Sequence, residues 1–209
     1  MLAACSPVQL GAAAIVGNQR ITVSSLDSQV SYLQAAAKPY GSGIQLTSAE
    51  MPSAVLSWLV RFAIMDQLAS SSGISVTQSQ VQAGTADIDS QASSAASQDG
   101  SGTAQSVLIS AGIAPQMMPA IGRYQAQELL YVEKVNGGKL PTTTAQNNAV
   151  EAAITKGQCA AAKALNIQIS PQFGRLDYTQ YAVVTSADTL SRLPGVPSPA
   201  STTGLAPAC

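Results

Sequence analysis

Between positions 55 and 68 the chain places an apolar residue on nearly every side that a helix presents to its neighbours. Val55, Leu56, Leu59, Val60, Phe62, Ile64, Met65 and Leu68 cover most of the surface of such a helix. A helix apolar almost all round must be surrounded by other elements, so this segment is predicted to be the centre of a helical bundle. Arg61 and Asp66 interrupt the run, which falls short of the ~20 nearly continuous apolar residues a membrane span requires. Aromatic residues are only 4% of the chain while apolar residues are 46%, so the core around this helix is built from aliphatic side chains. Charged residues are 10%, against about 25% in an average soluble domain. The net charge of −1 offers no basic patch for nucleic acid.

The chain contains no histidine. This removes Ser-His-Asp and Cys-His catalysis and every zinc site with a histidine ligand. The cysteines, at positions 5, 159 and 209, have no metal-ligand spacing. No phosphate-cradling glycine loop, dinucleotide fingerprint, zinc-protease helix or calcium loop occurs. The remaining carboxylates are isolated. Glu128 and Glu133 stand five apart and Asp87 and Asp89 two apart, spacings that do not share a helix face. The expectation is a binding protein rather than an enzyme, with no cofactor and no metal.

The pass along the chain predicts a short hairpin over 12–22 turning at Gly17-Asn18, then a helix over 24–38 started by Ser24 and Asp27 and ended by Pro39 and Gly41. The central helix begins near Thr47 or Ser53, with Thr47 and Glu50 as a capping box, and stops at Gly73. Thr77 caps a third helix with Val81, Ile88 and Ala92 inward, and residues 93–102 read as a flexible turn. A fourth helix covers 103–110. A fifth covers 115–135, with Met118, Ile121, Leu129, Val132 and Val135 on its core side. A sixth covers 144–165 and is weakened at Gly157. Beyond it, Ile167, Ile169 and the run 181–184 read as strands. The only partner available to them is the first hairpin, so the two ends of the chain are expected to meet in a small sheet.

Leu2-Ala3-Ala4-Cys5 resembles a bacterial lipobox, whose cysteine is acylated and becomes the mature N-terminus; the basic and apolar regions of a full export signal are not in the sequence. A lipid on Cys5 leaves Cys159 and Cys209, which in an exported protein suggests a disulfide, the alternative being two free thiols. Such a bridge closes a loop of about 50 residues, for which chain entropy gives roughly 4 kcal/mol.

Four segments resemble one family. Ile15-Val16-Gly17-Asn18-Gln19-Arg20-Ile21-Thr22-Val23-Ser24-Ser25-Leu26-Asp27 is similar to the opening of the SurA N-terminal chaperone domain. Gly73-Ile74-Ser75-Val76-Thr77 and Ala111-Gly112-Ile113-Ala114-Pro115 resemble that family's later helix junctions. The segment from Ala164 to Gly174, with Ile169-Ser170-Pro171-Gln172-Phe173-Gly174, looks like the closing strand of SurA-like lipoproteins. The resemblance covers about residues 13 to 185. It implies a mainly α fold, a helical SurA/trigger-factor-like peptide-binding domain of about six helices, with a small β-sheet formed by the N- and C-terminal strands. The domain spans 13–190, between a lipobox remnant with its linker at 1–12 and a Pro-rich tail at 191–209. Residues 138–165 stand where SurA carries parvulin isomerase domains, too short a stretch to hold one. The resemblance therefore implies binding of unfolded or extended polypeptide without prolyl isomerisation, on the outer face of the cell membrane. The groove residues it suggests are Trp58, Phe62 and Met65 on the second helix and Met117, Tyr124, Leu130 and Tyr131 on the fifth. A scaffold lipoprotein that binds one specific partner protein is the alternative.

Overall fold

A computed structural model describes residues 11–99 and 102–185. The lipobox, Cys5, Cys209 and the Pro-rich tail lie outside the described residues.

The chain opens with β1 (Ala12–Val16) and β2 (Gln19–Thr22), followed by α1 (Val23–Ala37) and a 3-10 turn at Lys38–Gly43. Then come α2 (Met51–Ser71), α3 (Gln78–Asp99) and α4 (Ala104–Ser110). A second 3-10 turn, Pro115–Met117, leads into α5 (Met118–Val135), and α6 (Thr144–Leu165) completes the helices. Three short strands close the order, β3 (Gln168–Ile169), β4 (Arg175–Asp177) and β5 (Ala182–Val184). The described chain is mainly helical, with six α-helices and little sheet.

The central helix lies where the apolar run puts it. Val55, Leu56, Val60, Ile64 and Met65 of α2 are buried, and α2 packs against α1, α5, α6, β1 and β5. Helix starts follow capping chemistry. Thr103 and Thr143 each accept from the backbone N–H three residues on, while Ser106 and Gln146 reach back to the cap. Gln80 closes the same box on Thr77. In α1 the cap is Thr22, whose hydroxyl accepts from Ser25 N at 3.0 Å, rather than Ser24. The Thr47–Glu50 pair forms, with Glu50 Oε2 accepting from Thr47 N at 2.9 Å and Oγ1 at 2.7 Å. It closes a turn ahead of α2 and is not its cap. Pro52 sits in the first turn of α2, where the missing N–H has no helical partner to lose.

The first hairpin and the segment after α6 meet as expected, in part. β3 adds to the first hairpin in the order β2-β1-β3, with Ala14 opposite Ile169 and Ile15 opposite Gln168. Gly17 N donates to Leu165 O at 2.6 Å. The run 181–184 does not join that sheet. β5 pairs with β4 in a separate two-stranded ribbon, Leu176 opposite Val183. The physical reason is local. Asp177 Oδ1 accepts from Thr179 N at 2.8 Å and Oγ1 at 2.7 Å, forming a tight turn that pairs near neighbours at a lower loop-closure cost than a return to residue 12. The ribbon is then held on α2. Val183 N donates to Ser57 Oγ at 2.8 Å, and Arg61 donates to the carbonyls of Gln180 and Tyr181 at 2.9 and 3.2 Å.

Two further expectations are corrected. The stretch predicted to be a flexible turn from 93 is helical through Asp99, the end of α3. Ala92 and Ala96 are buried, and Ser94 and Ser97 return hydroxyl bonds to the carbonyls of Ser90 and Ser93, so small residues here serve close packing. In α5, Leu129 and Val135 are exposed at 40% each instead of lying in the core. The buried positions are Ile121, Gly122, Ala126 and Gln127, and at Gly122 α3 passes so close that an added Cβ would strike Val81 and Thr85. Gly157 has a similar role in α6. A Cβ there would meet Tyr131 Oη at 2.6 Å and Leu68 Cδ1 at 2.9 Å.

Candidate functional site

Trp58 and Phe62 lie one turn apart on α2, and Tyr124 of α5 reaches across to both. The Trp58 and Phe62 ring centroids are 5.9 Å apart. Tyr124 stands 6.2 Å from each, edge-on to the indole. Trp58 Nε1 donates to Ala111 O at 2.8 Å, and the Arg61 guanidinium lies 5.1 Å from the indole centroid, within cation–π range. These three of the seven expected groove residues are therefore brought together, and all are half-buried.

The other four do not join them. Met65 and Met117 are core, at 1% and 3% exposure, so neither offers surface to a ligand. Tyr131 is half-buried and donates to Ala153 O of α6 at 3.3 Å. Leu130 is half-buried on α5. The α2–α5 seam is thus closed by aromatic packing. What opens beside it is a cleft of ≈160 Å³ lined by Arg61, Ile64, Tyr124, Gln158, Gln180 and Tyr181. Burial, reinforced by the Glu128 carboxylate, pushes the Tyr124 phenol up to about 12, so it remains a neutral hydrogen-bonding group. Burial also pushes Glu128 above the usual carboxylate range.

A larger depression of ≈590 Å³ lies between the Lys38–Gly43 turn, α3, α4 and the start of α5. Leu108, Pro115 and Met118, all half-buried, give it apolar surface over the buried Ile109 and Ile113, and Tyr40, Thr85, Asp89, Thr103 and Gln105 are its polar lining. Sequence reasoning missed this place. Its available signal was the pairing of apolar Leu108 and Ile109 on a helix too short to bury them alone.

Cys159, half-buried on α6, is disulfide-bonded, and both other cysteines lie outside the described residues. Among the described residues no group of three or more cysteine and carboxylate side chains could hold a metal, and no helix is long and apolar enough to cross a membrane. No protein-family model, curated protein or solved structure matches this chain.

Proposed function

We propose that this chain is a SurA-like chaperone that binds unfolded or extended polypeptide without isomerising it, tethered outside the cell by a lipid on Cys5. The observation that carries the reading is the ≈590 Å³ depression with its apolar surface. A site of this volume accepts one or two apolar side chains, and hydroxyl and amide groups in the lining suit the backbone of an extended segment. Met118 in the lining can repack around differing side chains. Asp89 is the one carboxylate in the lining, which favours neutral or basic client segments. The site therefore moves from the closed α2–α5 seam to the α3–α4 face.

The test is suppression of aggregation of an unrelated denatured protein at a near-stoichiometric ratio. Leu108→Asp and Met118→Asp, both at half-buried positions, weaken that suppression. Mass spectrometry of the membrane fraction tests the anchor and expects a diacylglyceryl adduct on Cys5. One observation favours the scaffold alternative. Only 10% of residues are charged, and charged surfaces help keep bound clients soluble. Capture of a single partner, with no effect on aggregation, is the result that selects it.

A further inference from the structure

A third depression, of ≈480 Å³, shares no lining residue with the other two and lies between the end of α2, the extended link 74–76 and the first turns of α3 and α5. Asp66 and Arg123 meet in it, Arg123 Nη2 standing 2.9 Å from Asp66 Oδ1. Surface pairs of this kind usually do little. Here the pair has a buried support. Gln127 is 3% exposed, and its Nε2 donates to the same Asp66 oxygen at 2.7 Å.

Three polar residues are buried among the described residues, Ser57, Ser106 and Gln127. Ser57 holds the backbone of β5 and Ser106 completes the cap of α4, so both serve the fold. Gln127 alone is committed to a side chain that lines an open depression, where it fixes the direction of a carboxylate. A buried amide that orients a solvent-facing charge is the arrangement expected of a prepared site.

The two charged side chains remain 38% and 56% exposed. A carboxylate has about four acceptor sites and a guanidinium five donors, so both keep capacity after these contacts. A ligand that uses both must carry a cation for Asp66 and an anion for Arg123. Because the two groups touch, the ligand's charges must also stand side by side, as they do when ammonium and carboxylate share one carbon. Ile74, Val76, Val81 and Pro119 supply apolar wall beside the charges. We infer that this depression binds a free α-amino acid with an apolar side chain, its ammonium on Asp66 and its carboxylate on Arg123. The site is separate from the polypeptide groove and stands or falls independently of it.

The test is calorimetric titration of the full chain with L-leucine, alongside N-acetyl-L-leucine and L-leucinamide, each of which lacks one charge. The expected result is saturable leucine binding, with both derivatives at least about tenfold weaker, since a site built on charged hydrogen bonds rejects an analogue that leaves one unmade. Asp66→Asn and Arg123→Gln weaken leucine binding to a similar degree. The ligand comparison uses the unaltered protein and is decisive even where a variant folds poorly. Absence of binding at about 10 mM leucine, a range well beyond weak millimolar affinity, overturns the inference. So does equal binding of leucinamide, which marks a reader of peptide N-termini, or binding by both variants at the original strength.

Discussion

Gly84 of α3 and Gly122 of α5 lie backbone against backbone. A Cβ on Gly84 would collide with the carbonyl oxygen of Gly122, and one on Gly122 would meet Thr85 Oγ1 and the Val81 carbonyl. The obstructing groups are mostly helix backbone, which cannot move aside as a flexible side chain does. This crossing fixes α3 beside α5 and so sets the walls of the α3–α4 depression.

Gly122→Ala and Gly84→Ala therefore destabilise the fold. Overpacking costs about 1–3 kcal/mol, and the better helix propensity of alanine offsets about 1 kcal/mol of it. Urea denaturation measures the difference. Gly43→Ala, where an added Cβ meets nothing within 4 Å, is the control and leaves the midpoint nearly unchanged.

Ser57 is buried in the middle of α2, and its hydroxyl accepts from Val183 N at 2.8 Å while donating to Ser53 O at 2.6 Å. Ser57→Ala leaves a buried N–H unpaired, at a cost of about 1–3 kcal/mol. The loss is local. Hydrogen exchange at Val183 accelerates more than exchange at Val60, and equal acceleration at both would show that Ser57 does not specifically hold the ribbon.

The raised Glu128 gives a pH dependence with a defined sign. Its folded-state value lies above the ordinary 4.5, through burial. The folded state therefore binds its proton more tightly than the unfolded chain does, and stability falls as pH rises from 4.5 through the folded value. Glu50 and Asp177 act oppositely. Hydrogen bonds from Thr47 and Thr179 hold them below their ordinary values, so their contributions are lost as pH falls through the folded values. Glu128→Gln removes the first effect. It raises the melting temperature at pH 7 relative to pH 4.5, measured against the unaltered chain at both values.

Reduction tests the pairing of Cys159 with Cys209. A bridge closing about 50 residues contributes up to roughly 4 kcal/mol by chain entropy, so reductant lowers the melting temperature of the unaltered chain and not of Cys209→Ser. Non-reducing peptide mapping that links Cys159 to Cys5 would contradict the pairing.

Helix positions were legible because their signals are local. Thr77 announces a start that its hydroxyl and Gln80 close as a box, Gly73 announces a stop with positive φ, and the apolar run from Val55 announces the centre. The pairing of β1 with β3 was legible by elimination. Chemistry that depends on close approach was not. Ser93 to Ser97 resembles a linker in composition, yet Ala92 and Ala96 are packed there. The face of α5 is chosen by Gly122 and Ala126, so its larger residues, Leu129 and Val135, point the wrong way for a reading by hydrophobic size. At the candidate sites, Trp58, Phe62 and Tyr124 were expected in one groove and do lie together, packed ring against ring. Asp66, Arg123 and Gln127 carry no shared local pattern, since α2 and α5 are brought together only by the packed fold.

A chaperone of this kind must hold polypeptide in the α3–α4 depression. The most direct measurement is the dissociation constant of a fluorescently labelled, permanently unfolded polypeptide for the unaltered chain, Met118→Asp and Trp58→Ala. The unaltered chain is expected to bind, Met118→Asp to bind at least about tenfold more weakly, since a charge enters the apolar lining, and Trp58→Ala to change little once folding is verified. No binding by the unaltered chain, or loss with Trp58→Ala and not with Met118→Asp, would contradict that expectation.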